Sequence, residues 1–383
     1  MQLALTEDQT LLSRTAHDFI AATPPIPRLR KLRDSRDERG YTPERYARMA
    51  ELGWTAIPFS EADGGLDMGM ADVVLVTEAL GRGLAPEPYI PSIILAGRAI
   101  ARAGGAAHKA SWLAPMITGD KVVALAHARR GGRHDLTRVP VRATAASTVG
   151  GGFRLTGQAT QVWGGNLADG YVIAARTAGQ DGDRDGITLF LLPAGVRGLR
   201  RERQVRIDSL NAAQLTLDDV AASNADVLGE VGAGHAVLAA AIDDATVALA
   251  GEMLGGMAEA LERTLAYLRE RRQFGVAIGS FQALKHRAAR LYIELELSRS
   301  AVMAAARAVD AGAAEAPALV SLAKARLSDT YCLVVNEAVQ MHGGIGMTDE
   351  HDIGFFLKRA RVCEQTFGDA AHHRDRFAAL SGF

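Results

Sequence analysis

Two cysteines in 383 residues, Cys332 and Cys363, are too few for a disulfide framework, and their spacing matches no metal-binding pattern. A reducing compartment and a cytoplasmic location are the corresponding expectations. No apolar run approaches the ~20 residues that a membrane span needs. The opening stretch M-Q-L-A-L-T-E-D-Q is too polar for a signal peptide. The charges nearly cancel: 43 Lys and Arg against 44 Asp and Glu leave −1. That balance argues against nucleic acid or an anionic membrane surface as a partner. No internal repeat is visible. What remains, 48% hydrophobic and 23% charged, is the composition of a globular chain. Its length exceeds one simple core and implies two or three subdomains.

The hydrophobic period divides the chain into three. Residues 1–120 read as helices. Thr6, followed by Glu7, Asp8 and Gln9, opens the first of them, with Leu11, Leu12, Ala16, Phe19 and Ile20 as its apolar stripe. Residues 28–39 read as a charged, solvated stretch. Residues 43–52, 72–81 and 91–104 read as further helices. At about residue 121 the period changes to two, and residues 122–126, 153–157, 171–175, 187–192 and 214–220 read as strands of a small antiparallel β domain. From Gly234 the helical period returns. Residues 234–272 are expected to form one helix of about 58 Å. Gly251, Gly255 and Gly256 inside it weaken a helix and imply close approach of a neighbour. Helices over 281–310 and 317–342 would complete a four-helix bundle. The expected fold is α+β, mainly α, with domains at 1–120, 121–226 and 227–383.

The turn between the first two of these long helices is the most informative segment. Within a dozen residues it presents Arg271, Gln273, Phe274, Gly275 and Gln282. A guanidinium forks onto a pyrophosphate, a phenyl ring covers an adenine face, and an amide reads polar edges. Together these are groups that hold a dinucleotide. The pattern R-x-Q-F-G-x-x-I-x-x-F-Q resembles the cofactor turn of the acyl-CoA dehydrogenase family of flavoproteins. A second family hallmark, Q-M-H-G-G-I-G-M-T, begins at Gln340. The resemblance covers essentially the whole chain.

What the resemblance implies is a flavin adenine dinucleotide (FAD) between the β domain and the C-terminal bundle. Arg271, Gln273, Phe274 and Gln282 would face its ADP moiety, and Ile278 and Phe281 would also bind the cofactor. Gln340, Gly343 and Gly344 of a neighbouring subunit would approach the same ADP. His342 is expected to be a packing histidine. The flavin ring would lie against His127 and Trp163, with the Val162 and Trp163 N–H groups near its polar edge. Relatives usually carry T-E-P after the first strand; here Ala128 stands where their Thr bonds the flavin.

The same resemblance locates the catalytic base and finds it missing. Dehydrogenation of an acyl-CoA removes an α-proton, which calls for a carboxylate in a low-dielectric pocket. Most relatives carry a Glu in a Y-E-G-T context, where this chain has Phe367. Others carry it early in the long helix, where this chain has Ala245, followed by Thr246 in place of an Arg. Asp243 and Asp244 are the weak substitutes; they, Glu350 and Asp369 read more readily as surface or cap carboxylates. The segments 80–89, 127–135, 275–286 and 367–373 resemble the small subunit of the pimeloyl-CoA dehydrogenase type. That subfamily implies an α2β2 assembly with a base-bearing homologue, an acyl-CoA substrate and an electron-transfer flavoprotein as acceptor. The alternatives are a homo-oligomer using Asp243 or Asp244, a flavin-dependent monooxygenase of the same fold, or a scaffold subunit.

Overall fold

The computed structural model describes residues 4–23, 25–146 and 151–383. Helices α1 (Glu7–Ala21), α2 (Pro25–Asp34), α3 (Pro43–Glu51), α4 (Met70–Arg82), α5 (Arg98–Ala103), α6 (Ala106–His108) and α7 (Ala114–Ile117) come first. Wider π-type windings at Tyr89–Gly97 and Lys109–Leu113 lead into α5 and link α6 to α7. Strands β1 (Val123–Ala126), β2 (Val141–Ala145), β3 (Phe153–Trp163), β4 (Gly170–Arg176), β5 (Ile187–Pro193), β6 (Leu199–Gln204), β7 (Ala212–Ala222) and β8 (Val227–Leu228) follow. The chain returns to helix in α8 (Gly234–Glu270) and makes a hairpin of β9 (Arg272–Gln273) and β10 (Val276–Ala277). It ends in α9 (Gln282–Asp310), α10 (Ala316–His342), α11 (Ile353–Gln365) and α12 (Ala370–Leu380). Helical, β and helical regions thus follow in the expected order. No helix among the described residues is long and apolar enough to cross a membrane.

Packing divides the chain into two discontinuous units. One comprises Met1–Lys31, Gly69–Ala85 and Thr246–Phe383, the other Leu32–Met68 and Pro86–Ala245. In the first, α1 begins with the capping box that Thr6 and Gln9 announced: the Gln9 N–H donates to the Thr6 hydroxyl at 3.2 Å and the Thr6 N–H to the Gln9 side chain at 3.3 Å. Of the expected α1 stripe only Ala16 and Ile20 are buried; Leu11 is exposed. The stretch at 28–39 departs from expectation, because its first part belongs to α2. Ile26 and Leu29 are buried there, an i, i+3 pair sufficient to anchor an otherwise charged helix.

The glycines of α8 have a steric cause. A Cβ on Gly255 would lie 1.8 Å from the Glu78 carbonyl oxygen of α4, and one on Gly251 would lie 2.3 Å from the Thr77 hydroxyl. Reciprocally, a Cβ on Gly81 of α4 would meet the Glu252 carbonyl oxygen at 1.9 Å, and one on Gly256 would meet the Tyr331 hydroxyl of α10 at 2.2 Å. Close helix–helix approach therefore explains them. Ion pairs flank the contact: Arg299 of α9 to Glu78 at 2.7 Å, and Arg82 to Glu262 at 2.7 Å.

In the second unit the strands form one eight-stranded sheet in the order β6-β7-β3-β2-β4-β5-β8, with β1 beside β4. Pairing is antiparallel except that β1 and β2 each run parallel to β4. All seven residues of β4 are buried, and Leu155, Tyr171, Ile173, Phe190 and Leu215 centre the core. The sequence reading missed β2, β6 and the two-residue β8. Strand β6, L-R-R-E-R-Q, is an edge strand whose residues are largely exposed, so it carries no apolar alternation to detect.

The α4–α8 contact predicts opposite outcomes for two glycines. Gly255→Ala must displace a backbone carbonyl and should cost about 2 kcal/mol or more. Gly354→Ala, in α11 with nothing within 4 Å of its Cβ, should be neutral or stabilising by up to about 1 kcal/mol. Urea unfolding of the two variants reads the contrast, and equal effects would show that α4 and α8 are not in backbone contact.

Candidate functional site

The turn that follows α8 is a two-residue β-hairpin. Arg272 pairs with Ala277 and Gln273 with Val276, leaving Phe274 and Gly275 at the tip. Both tip residues have positive φ, 54° and 79°, as a type I′ turn requires. Glycine suits that position; phenylalanine does not, and a bulky residue held there marks a constrained site. The Phe274 ring is 91% exposed and meets Phe281 edge to face, with centroids 6.3 Å apart. The Ile278 N–H donates to the Arg271 carbonyl at 2.9 Å and closes the loop. No residue from 269 to 290 is buried, although Phe274, Val276, Ile278, Phe281 and Leu284 are among them.

Three polar side chains predicted to contact a cofactor are exposed and make no hydrogen bond or ion pair among the described residues. They are Arg271, Gln282 and, in the last turn of α10, Gln340. The Gln273 amide donates locally to the Arg272 carbonyl at 2.9 Å. Gly343 ends α10 at φ 68°, and Cβ atoms built on Gly343 or Gly344 would meet nothing within 4 Å. A free guanidinium, free amides, an exposed aromatic face and unobstructed glycine backbone fit the ADP part of a dinucleotide. His342 is a packing residue: its Nδ1 bonds the Ala338 carbonyl at 2.7 Å, and its ring packs against both Tyr267 and His351, with centroids at 4.5 and 4.4 Å. Desolvation lowers its pKa and keeps it neutral.

His127 and Trp163 lie in the other unit. His127 follows β1, and burial pushes its pKa down to about 4, so it is neutral near pH 7. Trp163 ends β3, half-buried, with the Arg206 guanidinium 5.8 Å from its ring centre. Val162 and Trp163 stand opposite Ala213 and Ala212 in the β3–β7 ladder, just past a bulge at Gln161, whose φ is 53°.

The two positions expected to carry a base are apolar. Ala245 is fully buried. Phe367 is half-buried and occupies the turn between α11 and α12 with φ 62°. Asp244 is neither a surface nor a cap carboxylate: it is 1% exposed and ion-paired to two guanidiniums of α5, Arg98 Nε at 2.7 Å and Arg102 at 2.5 Å. Two such partners occupy the carboxylate and direct it away from proton abstraction. Asp243 is half-buried, and Glu350 is exposed. Asp369 is a cap, accepting from the His372 N–H at 2.8 Å at the start of α12.

Sequence reasoning missed the groups that surround Phe367. Lys324 of α10 is fully buried and donates to the Gly368 carbonyl at 2.6 Å, the Glu364 carbonyl at 3.0 Å and the Ser328 hydroxyl at 3.1 Å. Desolvation lowers its pKa to about 8. His373 donates from Nε2 to the Phe367 carbonyl at 3.2 Å, and burial beside Lys324 lowers its pKa to about 3. The only sequence signal for Lys324 is its place on the small-residue face formed with Ser321 and Ser328. An open cavity of about 430 Å³ between α9, α10 and α12 reaches His373, but no predicted cofactor or base residue lines it.

Residues 6–120 match the family model for the acyl-CoA dehydrogenase N-terminal domain, and residues 232–380 match that for the C-terminal domain. The short-chain specific acyl-CoA dehydrogenase of Megasphaera elsdenii is 28% identical over 375 residues, 95% of each chain. A chain of the ChsE4-ChsE5 complex from Mycobacterium tuberculosis superposes at a TM-score of 0.88, with 27% identity over 100% of both chains. A chain of the Tcur3481-Tcur3483 steroid ACAD gives 0.86 and 29% over 98% of both.

Two measurements follow from the buried charges. Asp244→Asn leaves Arg98 and Arg102 without their carboxylate. Breaking a buried pair costs about 3–5 kcal/mol, and partial exposure of the two arginines reduces that to about 2–3 kcal/mol. A loss below about 0.5 kcal/mol on urea unfolding, the level of a neutral surface change, would show that these ion pairs do not hold the unit together. For Lys324, the pKa in the folded chain lies near 8, below the ordinary 10.5. The unfolded chain then binds more protons between those values, so this group's contribution to stability rises with pH from about 8 to 10.5, by up to about 3 kcal/mol. Cys332, pushed up to about 11 by burial, acts in the opposite sense but cancels when wild type is compared with Lys324→Met. A stability difference between the two that does not change from pH 7.5 to 10 would contradict the burial of a charged Lys324.

Proposed function

Because this chain belongs to the acyl-CoA dehydrogenase family, we propose that it is the base-lacking small subunit of a heteromeric acyl-CoA dehydrogenase, nearest the pimeloyl-CoA dehydrogenase small-subunit type. The family oxidises the CH–CH bond of acyl-CoA thioesters with FAD as cofactor. The observation that carries the heteromeric reading is the absence of a usable base. Phe367 and Ala245 fill both positions where relatives carry a Glu, and the buried carboxylate beside Ala245 is neutralised by two guanidiniums. A partner chain of the same family then supplies the carboxylate, and an electron-transfer flavoprotein accepts the electrons. Likeness to a chain of the ChsE4-ChsE5 complex supports this reading.

The residues divide the labour. Arg271 supplies positive charge for the pyrophosphate, Phe274 and Phe281 an aromatic surface for adenine, and Gln273 and Gln282 amides for polar edges, with Ile278 closing the loop beneath them. Gln340, Gly343 and Gly344 serve the ADP of a neighbouring subunit. His127, held neutral, and Trp163 border the flavin ring. Bound FAD supplies the acceptor for the substrate's β-hydrogen as hydride. Exposed apolar side chains on the same unit support assembly: Tyr292, Ile293 and Leu297 of α9 and Leu333 of α10 stand open to solvent in the single chain. An interface covering them also excludes water from the cofactor turn.

Purified chain should carry FAD and form at least a dimer. Arg271→Ala should weaken FAD binding about 10- to 150-fold, since a charge-assisted contact is worth about 1.5–3 kcal/mol. Alone, the chain should leave its flavin oxidised under anaerobic acyl-CoA; mixed with a Glu-bearing homologue it should bleach. General-base catalysis contributes about 10²–10⁴-fold, so the contrast is large. Rapid bleaching by the isolated chain that Asp243→Asn abolishes would establish a homomer with an unusual base. Reduced flavin that consumes oxygen with substrate hydroxylation would establish a monooxygenase.

A further inference from the structure

The turn joining α11 to α12 holds a backbone that a phenylalanine does not adopt on its own. Phe367 has φ 62° and Gly368 φ 124°. A Cβ on Gly368 would lie 2.5 Å from His372 and 2.8 Å from His373 Nε2, so this position admits only glycine. Side chains from outside the turn grip its carbonyls. Lys324 takes those of Glu364 and Gly368, and His373 takes that of Phe367. Ser328 accepts the third ammonium proton, so all three Lys324 donors are used. Burying an ammonium is costly, and a cationic donor makes stronger hydrogen bonds than a neutral one. The observed strain at Phe367 and the charged grip on both sides of it have a common effect, which is to keep residue 367 in one place.

We propose that Lys324 is the positioning residue of this turn, assisted by His373, and that it sets where the side chain at position 367 is presented. The inference rests on the reading that relatives carry their base at this position. On that reading the chain presents a ring where relatives present a carboxylate, from a turn that Lys324 and His373 hold in place. A pKa near 8 leaves Lys324 charged at neutral pH, with all its donors available. Phe367→Glu would then place a carboxylate in an already fixed position. In that variant the α C–H bond would break to the carboxylate as a proton, the β C–H bond would break to FAD with its electron pair, and a C=C bond would form.

The test compares FAD-loaded wild type, Lys324→Met and Lys324→Arg at pH 7 by amide hydrogen exchange of residues 364–373, with α8 peptides as the internal reference. Exchange in the turn should rise at least tenfold in Lys324→Met, stay unchanged in α8, and return toward wild type in Lys324→Arg. The same pair of substitutions in a Phe367→Glu background should lower flavin reduction by octanoyl-CoA at least tenfold with Met. Half-saturation should stay unchanged, and Arg should restore the rate. If Lys324→Met does not fold, His373→Phe, which removes only the bond to the Phe367 carbonyl, should raise exchange at 366–369. Unchanged exchange in whichever variant folds overturns the proposal, as does a loss confined to half-saturation. If the turn loosens as expected but Phe367→Glu is inactive in every background, Lys324 holds the turn and the assignment of position 367 as the base position fails.

Discussion

Gly255 of α8 leaves no room for a side chain between its helix and α4, and the rest of the helical unit is arranged around that fact. Backbone atoms of the two helices meet at Gly81, Gly251 and Gly255, bringing main-chain dipoles and dispersion contacts closer than any larger residue allows. The acidic side chains beside the contact are drawn to arginines of neighbouring helices: Glu78 to Arg299, and Glu252 to Arg359 at 2.6 Å, both members of the latter pair buried. With α8 fixed along its length, the hairpin at its C-terminal end is fixed too. Arg271 is the first residue past the helix, and its N–H still bonds the Tyr267 carbonyl at 2.8 Å.

Buried charge in this protein is committed to structure. Asp244, Glu78 and Glu252 each face at least one guanidinium, and Lys324 faces two carbonyls and a hydroxyl. None is left as a free base in a low-dielectric setting, which is what abstraction of an α-proton would need. Of the polar side chains expected to contact a cofactor, those without a partner among the described residues are Arg271 beside the hairpin, Gln282 at the start of α9 and Gln340 at the end of α10. On the proposed reading, the chain binds cofactor and assembles, and a partner supplies the carboxylate.

Two phenylalanines share an unusual backbone. Phe274 at the hairpin tip and Phe367 in the α11–α12 turn both sit in the left-handed region, where a bulky side chain is strained. At the hairpin, the strain accompanies a type I′ turn that keeps the ring outward. At the α11–α12 turn, it is maintained by Lys324 and His373. A phenyl ring favours that backbone in neither place, so each is held by the structure around it.

Order of regions, the long helix, five of the strands, the Thr6 cap and the crowding at the α8 glycines were legible because they follow from period, capping chemistry and the space a Cβ needs, all written locally in the chain. Edge strand β6 and helix α2 were not, since each has too few buried residues to impose a period. The motif at 271–282 resembles a cofactor turn in sequence, but its hairpin geometry was not legible there. Residue identities alone showed that both positions expected to carry a base hold apolar side chains and that a turn resembling a dinucleotide site follows the long helix. Folding was needed to show that Asp244 is locked by Arg98 and Arg102 and that Lys324 is buried against the Phe367 turn. An aspartate or lysine reads the same in sequence whether water or a guanidinium surrounds it; only the fold sets its dielectric and its partners.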